Sequence, residues 1–278
     1  MAQLLKNEEF LVSNLPPKIS QLNVTLLFLI LAVAVLPGCL STGNGHPIEA
    51  IASLQAIEIP RGHAAVQSVS RIDPKETGNW WEKRYETLND RSSIGGHEMV
   101  FIGDSITHSW ENAGKDIWNE FYGDRKALNL GISGDRTEHV LWRLENGNID
   151  GLTPKLAVIM IGTNNYRDNS AEEIGEGIIS IVKHLNREMP EMNVLILGIF
   201  PRFKGPHPKR RMLAEASAIA SSIADGKRIH YLDIGTAFLE DDGKLPKDIM
   251  PDFLHPNERG YRIWAEAIEP KVAELLGE

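Results

Sequence analysis

From about residue 76 onward, the sequence alternates between short apolar runs and longer amphipathic stretches. Strands that alternate with helices of this length predict an α/β fold, in which helices cover both faces of a parallel sheet. Such a sheet binds its ligands just beyond the carboxyl ends of the strands. The predicted strands are Met99–Gly103, Ala127–Leu130, Leu156–Ile161, Val194–Leu197 and Ile229–Ile234, and the helix-like stretches lie near residues 112–122, 135–146, 171–188, 208–225 and 257–276.

The composition excludes several classes of protein structure and function. A chain with 42% hydrophobic and 24% charged residues is typical of a globular protein, which excludes collagen-like, coiled-coil and wholly disordered structures. With 29 basic and 38 acidic residues the formal charge is −9, so binding to nucleic acid is not expected as the main function. The single cysteine, Cys39, excludes a disulfide framework and a zinc site with several cysteine ligands.

The N-terminal region carries an apolar run at residues 24–36, interrupted only by Thr25. The run is shorter than the roughly 20 residues of a membrane-spanning helix and has the length of a signal-peptide core. It ends in Leu36-Pro37-Gly38-Cys39, which resembles a bacterial lipobox, where cleavage precedes the cysteine and its thiol receives a lipid. We therefore expect lipidation of Cys39 and attachment to a membrane of the cell envelope; the alternative is a free cysteine behind an uncleaved anchor.

These patterns divide the chain into three parts. We predict a lipoprotein-type signal peptide over residues 1–38, a tether and lead-in segment over 39–75, and one catalytic or binding domain over 76–278. The segment after Cys39 begins polar and rich in glycine and shows no sustained period, as expected for a tether.

The first predicted strand, MVFIG, runs directly into Asp104-Ser105. A serine on a tight turn at a strand's carboxyl end presents an exposed hydroxyl, and its own N–H faces the place where negative charge would form. Ser105 is therefore a candidate nucleophile. The alternative is that Ser105 only caps the segment that follows, as many serines do.

The next two strand ends carry groups that can donate hydrogen bonds into the same crevice. The second strand continues into Gly131-Ile132-Ser133-Gly134-Asp135, where a glycine allows the backbone to approach a ligand closely. The third continues into Gly162-Thr163-Asn164-Asn165, where an asparagine amide is a candidate donor. Plain turn formation is the alternative for both.

A C-terminal loop carries Asp252 and His255 ahead of an amphipathic stretch. A serine nucleophile needs a base, and a histidine base needs a carboxylate that fixes its tautomer. A surface turn is the alternative when this loop is considered alone. Taken together, the order Ser, Gly, Asn and Asp/His at three strand ends and one loop favours a hydrolytic site.

The blocks VFIGDSITHSW, ALNLGISGDRTEHVLWRLENG, IGTNN, LGIFPR and DFLHPNERGY, and their order, resemble the SGNH (GDSL-type) hydrolases over roughly residues 80–276. Within that family the likeness is to the esterases related to the catalytic subunits of platelet-activating factor acetylhydrolase Ib. The resemblance implies a three-layer, doubly wound sheet of five parallel strands in flavodoxin-like order.

The resemblance also implies a role for each matching residue. Ser105 is the nucleophile, His255 the general base and Asp252 the carboxylate that orients it. The oxyanion hole consists of the N–H of Ser105, the N–H of Gly134 and the side chain of Asn164. Gly134 is chosen over Gly131 because the family's glycine directly precedes the aspartate of this block.

The expected function is that of a serine esterase without metal or cofactor that removes acetyl or other short acyl groups, with acetylated carbohydrates among the candidate substrates. The alternatives are a lysophospholipase or thioesterase, and a non-catalytic module that binds acetylated glycans. The resemblance also suggests a homodimer.

Other features have less specific interpretations. We expect Arg202 and Lys204 to lie in a solvated loop, with a place at the rim of the site as the alternative. We expect His108 to have a capping or packing role, with contact to the substrate as the alternative. The six tryptophans are scattered along the chain, so core packing is the expectation for them rather than a sugar-stacking surface.

Overall fold

The computed structural model describes residues 62–72, 75 and 78–278. The apolar run at 24–36 and Cys39, on which the predictions of a signal peptide and of lipidation rest, lie outside these residues. None of the helices in the described part of the chain is both long and apolar enough to cross a membrane.

Five parallel strands form the sheet, in the order β2-β1-β3-β4-β5. This is the flavodoxin-like order, and the predicted α/β class with a five-stranded parallel sheet is confirmed. In register, Met99 pairs with Ala127 on one side and with Leu156 on the other, so β1 is central. The strands are β1 (Met99–Gly103), β2 (Ala127–Gly131), β3 (Leu156–Met160), β4 (Asn193–Leu197) and β5 (Ile229–Leu232).

The helices correspond to the predicted amphipathic stretches, with two additions, Trp80–Ile94 and the short helix Ser105–His108. Residues 80–94, which the sequence did not mark as helical, form the first helix. The α-helices are α1 (Trp80–Ile94), α2 (Ser105–His108), α3 (Lys115–Tyr122), α4 (Thr137–Glu145), α5 (Ala171–Glu188), α6 (Pro208–Ser221) and α7 (Glu258–Leu276).

Two hydrophobic cores lie on opposite faces of the sheet, because successive side chains of a strand point to opposite faces. Val100 and Ile102 of β1 pack into the core that α1, α4, α5 and α6 cover. Met99 and Phe101 pack into the other, which α3 and α7 cover. Helices on both faces leave the carboxyl edge of the sheet as the open edge.

The lead-in segment is part of this packing. Ala65 is fully buried, its carbonyl accepts a hydrogen bond from the Thr137 hydroxyl, and the ring of His63 contacts Glu176 of α5. The folded region therefore begins before residue 76, the predicted start of the domain, because contacts that hold this segment come from residues far along the chain.

The tryptophans follow the packing expectation with one exception. Trp81, Trp110 and Trp264 are almost fully buried. Trp80, however, is 54% exposed, so the expectation of core packing is wrong for this residue. It stands at the first position of α1, on the side of the helix turned away from the core.

Candidate active site

Ser105 is the first residue of α2 and follows β1 almost directly. The turn depends on Gly103, because a Cβ atom there would lie 2.1 Å from the Thr107 hydroxyl oxygen. Asp104 caps the short helix: its Oδ1 accepts a hydrogen bond of 2.9 Å from the N–H of Ile106. These contacts hold Ser105 at the carboxyl end of the central strand.

The carboxyl of Asp104 is fully buried beneath the nucleophile. Burial raises the pKa of Asp104 to about 7, although the N–H of Ile106 and the nearby His255 work against the rise. Below that pH the group is mostly neutral, so little negative charge lies next to Ser105 to repel an anion formed there.

His255 connects the serine to a carboxylate. The Oγ of Ser105 lies 2.8 Å from Nε2 of His255, and Nδ1 of the same ring lies 2.6 Å from Oδ2 of Asp252. An ionised carboxylate only accepts hydrogen bonds, so Nδ1 carries the proton and Nε2 is left to accept from the serine O–H. This is the tautomer that a general base needs.

Asp252 also holds the backbone of its own loop. Its Oδ1 accepts hydrogen bonds from the N–H groups of Leu254 and His255, at 3.0 and 2.7 Å. Partial burial works to raise the pKa of Asp252, but the hydrogen bonds from the ring and backbone of His255 outweigh it and keep the pKa below its ordinary value. The carboxylate is therefore ionised at neutral pH. We call residues 252–255 the base loop.

Gly134 lies in a turn that follows β2. The N–H of Asp135 donates to the carbonyl of Ile132 across 3.2 Å, and Gly134 has a φ of +79°. A positive φ at the third residue, with a negative φ at the second, defines a type II turn and favours glycine there. The turn brings Gly134 to the same sheet edge as Ser105.

Asn164 follows β3, in a 3₁₀ helix that spans Thr163–Arg167. Its Nδ2 donates to the carbonyl of Asp135 across 2.9 Å, which fixes the plane of the amide against the turn after β2. An amide nitrogen carries two hydrogens, and the described residues provide no acceptor for the second one. We call Ser105, Gly134 and Asn164, with the strand ends that carry them, the strand-end side of the site.

A buried ion pair that the sequence analysis did not identify supports the strand-end side. The Nε of Arg143 donates to Oδ2 of Asp135 across 2.8 Å, and both side chains are fully buried. Another N–H of Arg143 donates to the carbonyl of Gly103, and Trp81 donates to the other Asp135 oxygen. The pair therefore ties the end of β1 to the turn after β2. A charged residue within the apolar stripe of α4 was the available signal.

Arg202 is not the solvated residue that the sequence analysis expected. Its Nη1 donates to the carbonyl of Thr163 across 2.9 Å, and its guanidinium lies 4.0 Å from the centre of the Tyr166 ring. The expectation is wrong because a neighbouring aromatic ring and carbonyl, both distant in sequence, hold this side chain. Lys204 has no such side-chain contact among the described residues.

His108 has the packing role that was expected for it. Its Nδ1 lies 3.0 Å from the hydroxyl of Ser133, and burial together with the charge of Arg84 lowers its pKa. The ring is therefore neutral at pH 7 and rests against the turn. In the described part of the chain, no group of His, Cys, Asp and Glu side chains is arranged to hold a metal ion.

The site thus combines a hydroxyl, an imidazole in hydrogen-bond contact with it, and an ionised carboxylate behind the imidazole. Of the five predicted residues, the structure brings Ser105, His255 and Asp252 into direct contact. It joins Asn164 to the turn of Gly134 through the carbonyl of Asp135. Such an arrangement can activate a serine for attack on a carbonyl group.

Comparison with known proteins gives a consistent result. The model of the GDSL-like lipase/acylhydrolase family matches residues 101–263. Platelet-activating factor acetylhydrolase IB subunit alpha1 from Homo sapiens is 35% identical over 207 residues, which are 74% of this chain and 88% of that protein. Subunit alpha2 from Rattus norvegicus is 36% identical over 65% of this chain and 78% of that protein.

Solved structures share the fold. A GDSL-like lipase from Bacteroides thetaiotaomicron superposes with a TM-score of 0.53 at 21% identity, over 69% of this chain and 97% of that one. An acetylxylan esterase from Geobacillus stearothermophilus superposes with a TM-score of 0.52 at 22% identity, over 67% of this chain and 97% of that one. At these identities the likeness concerns the fold.

Proposed function

The chain belongs to the GDSL-like lipase/acylhydrolase family and is a carboxylic ester hydrolase, and on this premise we propose that it removes acetyl or other short acyl groups through an acyl-enzyme on Ser105. The observation that carries the proposal is the continuous contact from the Oγ of Ser105 through the ring of His255 to Asp252, with distances of 2.8 and 2.6 Å.

In the first step, the Oγ of Ser105 attacks the ester carbonyl while its proton passes to Nε2 of His255. The new C–O bond forms as the carbonyl electron pair moves to oxygen, which becomes an anion. The imidazolium formed is stabilised by Asp252, which keeps its negative charge. The bond to the leaving group then breaks, and Nε2 returns the proton to the departing alcohol.

In the second step, water attacks the acyl-enzyme. His255 takes a proton from the water, a second tetrahedral anion forms, and its collapse releases the carboxylic acid as Ser105 recovers its proton. The N–H groups of Ser105 and Gly134 and the amide of Asn164 hold the anion in both steps. Donors fixed in advance stabilise such an anion without reorganising during the reaction.

The preference for a short acyl group rests on the relatives. The curated relatives are acetylhydrolases by name, and a solved structure with this fold is named an acetylxylan esterase. We propose an ester of acetic acid, with an acetylated carbohydrate as one candidate. A longer-chain lysophospholipase or thioesterase, and a module that binds acetylated glycans without turnover, are the alternatives.

The test is to assay the full chain, in mild detergent, on p-nitrophenyl acetate, butyrate and octanoate, beside Ser105→Ala. We expect turnover that falls with chain length and is lost in the variant. A preference for octanoate would replace the acetyl proposal with the longer-chain alternative. Turnover equal to that of Ser105→Ala would overturn the proposed mechanism and favour a binding module.

We also propose attachment to the cell envelope through a lipid on Cys39, and assembly as a homodimer. The lipobox-like sequence after the apolar run supports the first, and likeness to the acetylhydrolase subunits supports the second. The mass of the mature N-terminal peptide, compared with that of Cys39→Ser, tests lipidation. Sedimentation equilibrium in detergent tests the dimer, and a monomer at micromolar concentration would contradict it.

A further inference from the structure

Arg71, in the segment that precedes the predicted domain, binds the turn of Gly134. Its Nη1 donates to the carbonyl of Ser133 across 2.9 Å and to Oδ1 of Asp135 across 3.2 Å. Its guanidinium lies against the rings of Trp80 and Trp81, 5.6 and 5.9 Å from their centres. Arg71 is therefore held by contacts on two sides.

The carbonyl that Arg71 binds belongs to the same peptide unit as the N–H of Gly134. A peptide unit is planar, and in the trans form, which every described peptide has, its C=O and N–H point in opposite directions. A hydrogen bond that fixes the Ser133 carbonyl toward Arg71 therefore fixes the direction of the Gly134 N–H as well.

This peptide is also the unit that distinguishes two kinds of turn. Type I and type II turns differ in the torsions on either side of their central peptide. The C=O of that peptide therefore points to one side of the turn in type I and to the other side in type II, and its N–H does the reverse. The φ of +79° at Gly134 corresponds to type II, and glycine adopts positive and negative φ with similar ease. The sequence of the turn alone does not lock the peptide.

We propose that Arg71 is a positioning residue that locks the Ser133–Gly134 peptide in the type II orientation and so aims the Gly134 N–H at the oxyanion. The charge of the guanidinium also polarises the peptide, which makes its N–H a stronger donor. The inference rests on the proposed function, because it assigns Gly134 to the oxyanion hole. It gives the lead-in segment a part in the reaction.

The test compares Arg71→Ala, Arg71→Lys and Arg136→Ala in the full chain, with p-nitrophenyl acetate as substrate. Arg136 is a matched control, because it lies just after the same turn and its side chain pairs with Asp168. Loss of a whole oxyanion donor costs about 10²–10³ in kcat. We expect a smaller loss of about 10–100-fold in Arg71→Ala, with KM nearly unchanged, and little change in Arg136→Ala.

Two results distinguish the positioning role from a role limited to anchoring the lead-in segment. The positioning role predicts that the kcat losses of Arg71→Ala and Asn164→Ala do not multiply in the double variant, since both groups serve one oxyanion. It also predicts that added guanidinium ion restores part of the kcat of Arg71→Ala, while sodium chloride at equal ionic strength does not.

A kcat of Arg71→Ala equal to that of Arg136→Ala would overturn the proposal, as would a loss that appears only in KM. If Arg71→Ala does not fold, Arg71→Lys decides. Lysine keeps the charge but lacks the planar guanidinium whose packing against Trp80 and Trp81 directs Nη1 at the turn, so kcat must fall at unchanged KM. Failure of the proposed function is recognised separately, because the wild type would then turn over no faster than Ser105→Ala.

Discussion

The two sides of the site differ in what holds them in place. On the strand-end side, the ion pair of Asp135 and Arg143 beneath the turn is completely inaccessible to solvent. In the base loop, by contrast, the Asp252 and His255 side chains are 55% and 36% exposed. One side is built into the core, and the other lies on the surface.

The base loop relies on its own carboxylate, on one neighbouring loop and on the partial packing of Phe253 and Leu254 against the core that α3 and α7 cover. Asp252 accepts two backbone hydrogen bonds from within the loop, and the carbonyl of Phe253 accepts one of 2.9 Å from the N–H of Phe203. The difference teaches that a change on the strand-end side acts through stability as well as activity, whereas a change in the base loop acts mainly through activity.

The largest expected effect is that of Asp252→Asn in the base loop. The amide presents an N–H toward Nδ1 of His255 and so favours the wrong tautomer, and kcat should fall by about 10⁴. Because the loop is exposed, the midpoint of thermal unfolding should hardly change. Steady-state kinetics and a thermal scan on the same sample check both parts. Full activity would show that another carboxylate orients His255.

On the strand-end side, Arg143→Met should act mainly on stability. Removing Arg143 leaves the buried Asp135 with the more exposed Arg71 as its remaining charged partner. Breaking a buried pair in this way typically costs about 3–5 kcal/mol of the free energy of unfolding, and the contact with Arg71 places the expected loss at the lower end of that range. Urea denaturation measures this loss. Arg187→Met is the matched control, because Arg187 pairs with Glu188 in a salt bridge that is largely exposed. An equal effect of the two substitutions would contradict the comparison.

Asn164→Ala separates activity from stability on the strand-end side. The amide is half-buried and joins the turn through one hydrogen bond. Removing it should therefore lower kcat much more than the free energy of unfolding. We expect kcat to fall by about 10²–10³, the usual cost of one oxyanion donor. A near-normal kcat would remove Asn164 from the oxyanion hole, and the Gly134 and Ser105 N–H groups would remain as donors.

The sequence predicted the elements that a local pattern marks and missed a helix whose packing depends on distant residues. The strands were located to within two residues because strands buried on both faces read as continuous apolar runs. The helix α1 was missed because it lacks a clear apolar stripe: both of its ends, Trp80 and Ile94, are exposed, whereas Ser92 is buried. Its packing depends on residues that come later in the chain.

For the site, the sequence pointed to residues that directly follow strands, since the fold class brings those positions to one edge. Asp252 and His255 were found because they lie three positions apart on one loop. Arg71 and Arg143 were not, because their partners are the turn at 133–135 and the end of β1. A charge within the apolar stripe of α4 marks Arg143 as unusual, but nothing local in the sequence shows which groups either side chain reaches. Contacts of this kind follow from the tertiary structure.

The smallest expected effect concerns backbone strain, in which the two sides also differ. Both contain positive φ angles, but on the strand-end side they belong to glycines, Gly134 and Gly162, whereas in the base loop the residue is Phe253, with a φ of +61°. A residue with a Cβ atom pays about 1–2 kcal/mol for this conformation, and glycine does not. Phe253→Gly should therefore be more stable than Phe253→Ala by about 1 kcal/mol.

The comparison of glycine with alanine cancels the lost contacts of the phenylalanine ring, which both variants lack. Leu254 provides the control, since its φ is not in the left-handed region: there glycine should be the less stable of the two, because it loses more conformational freedom on folding. Urea denaturation of the four variants measures both differences. If alanine were as stable as glycine at position 253, the base loop would carry no strain, and its exposed hydrogen bonds alone would account for its geometry.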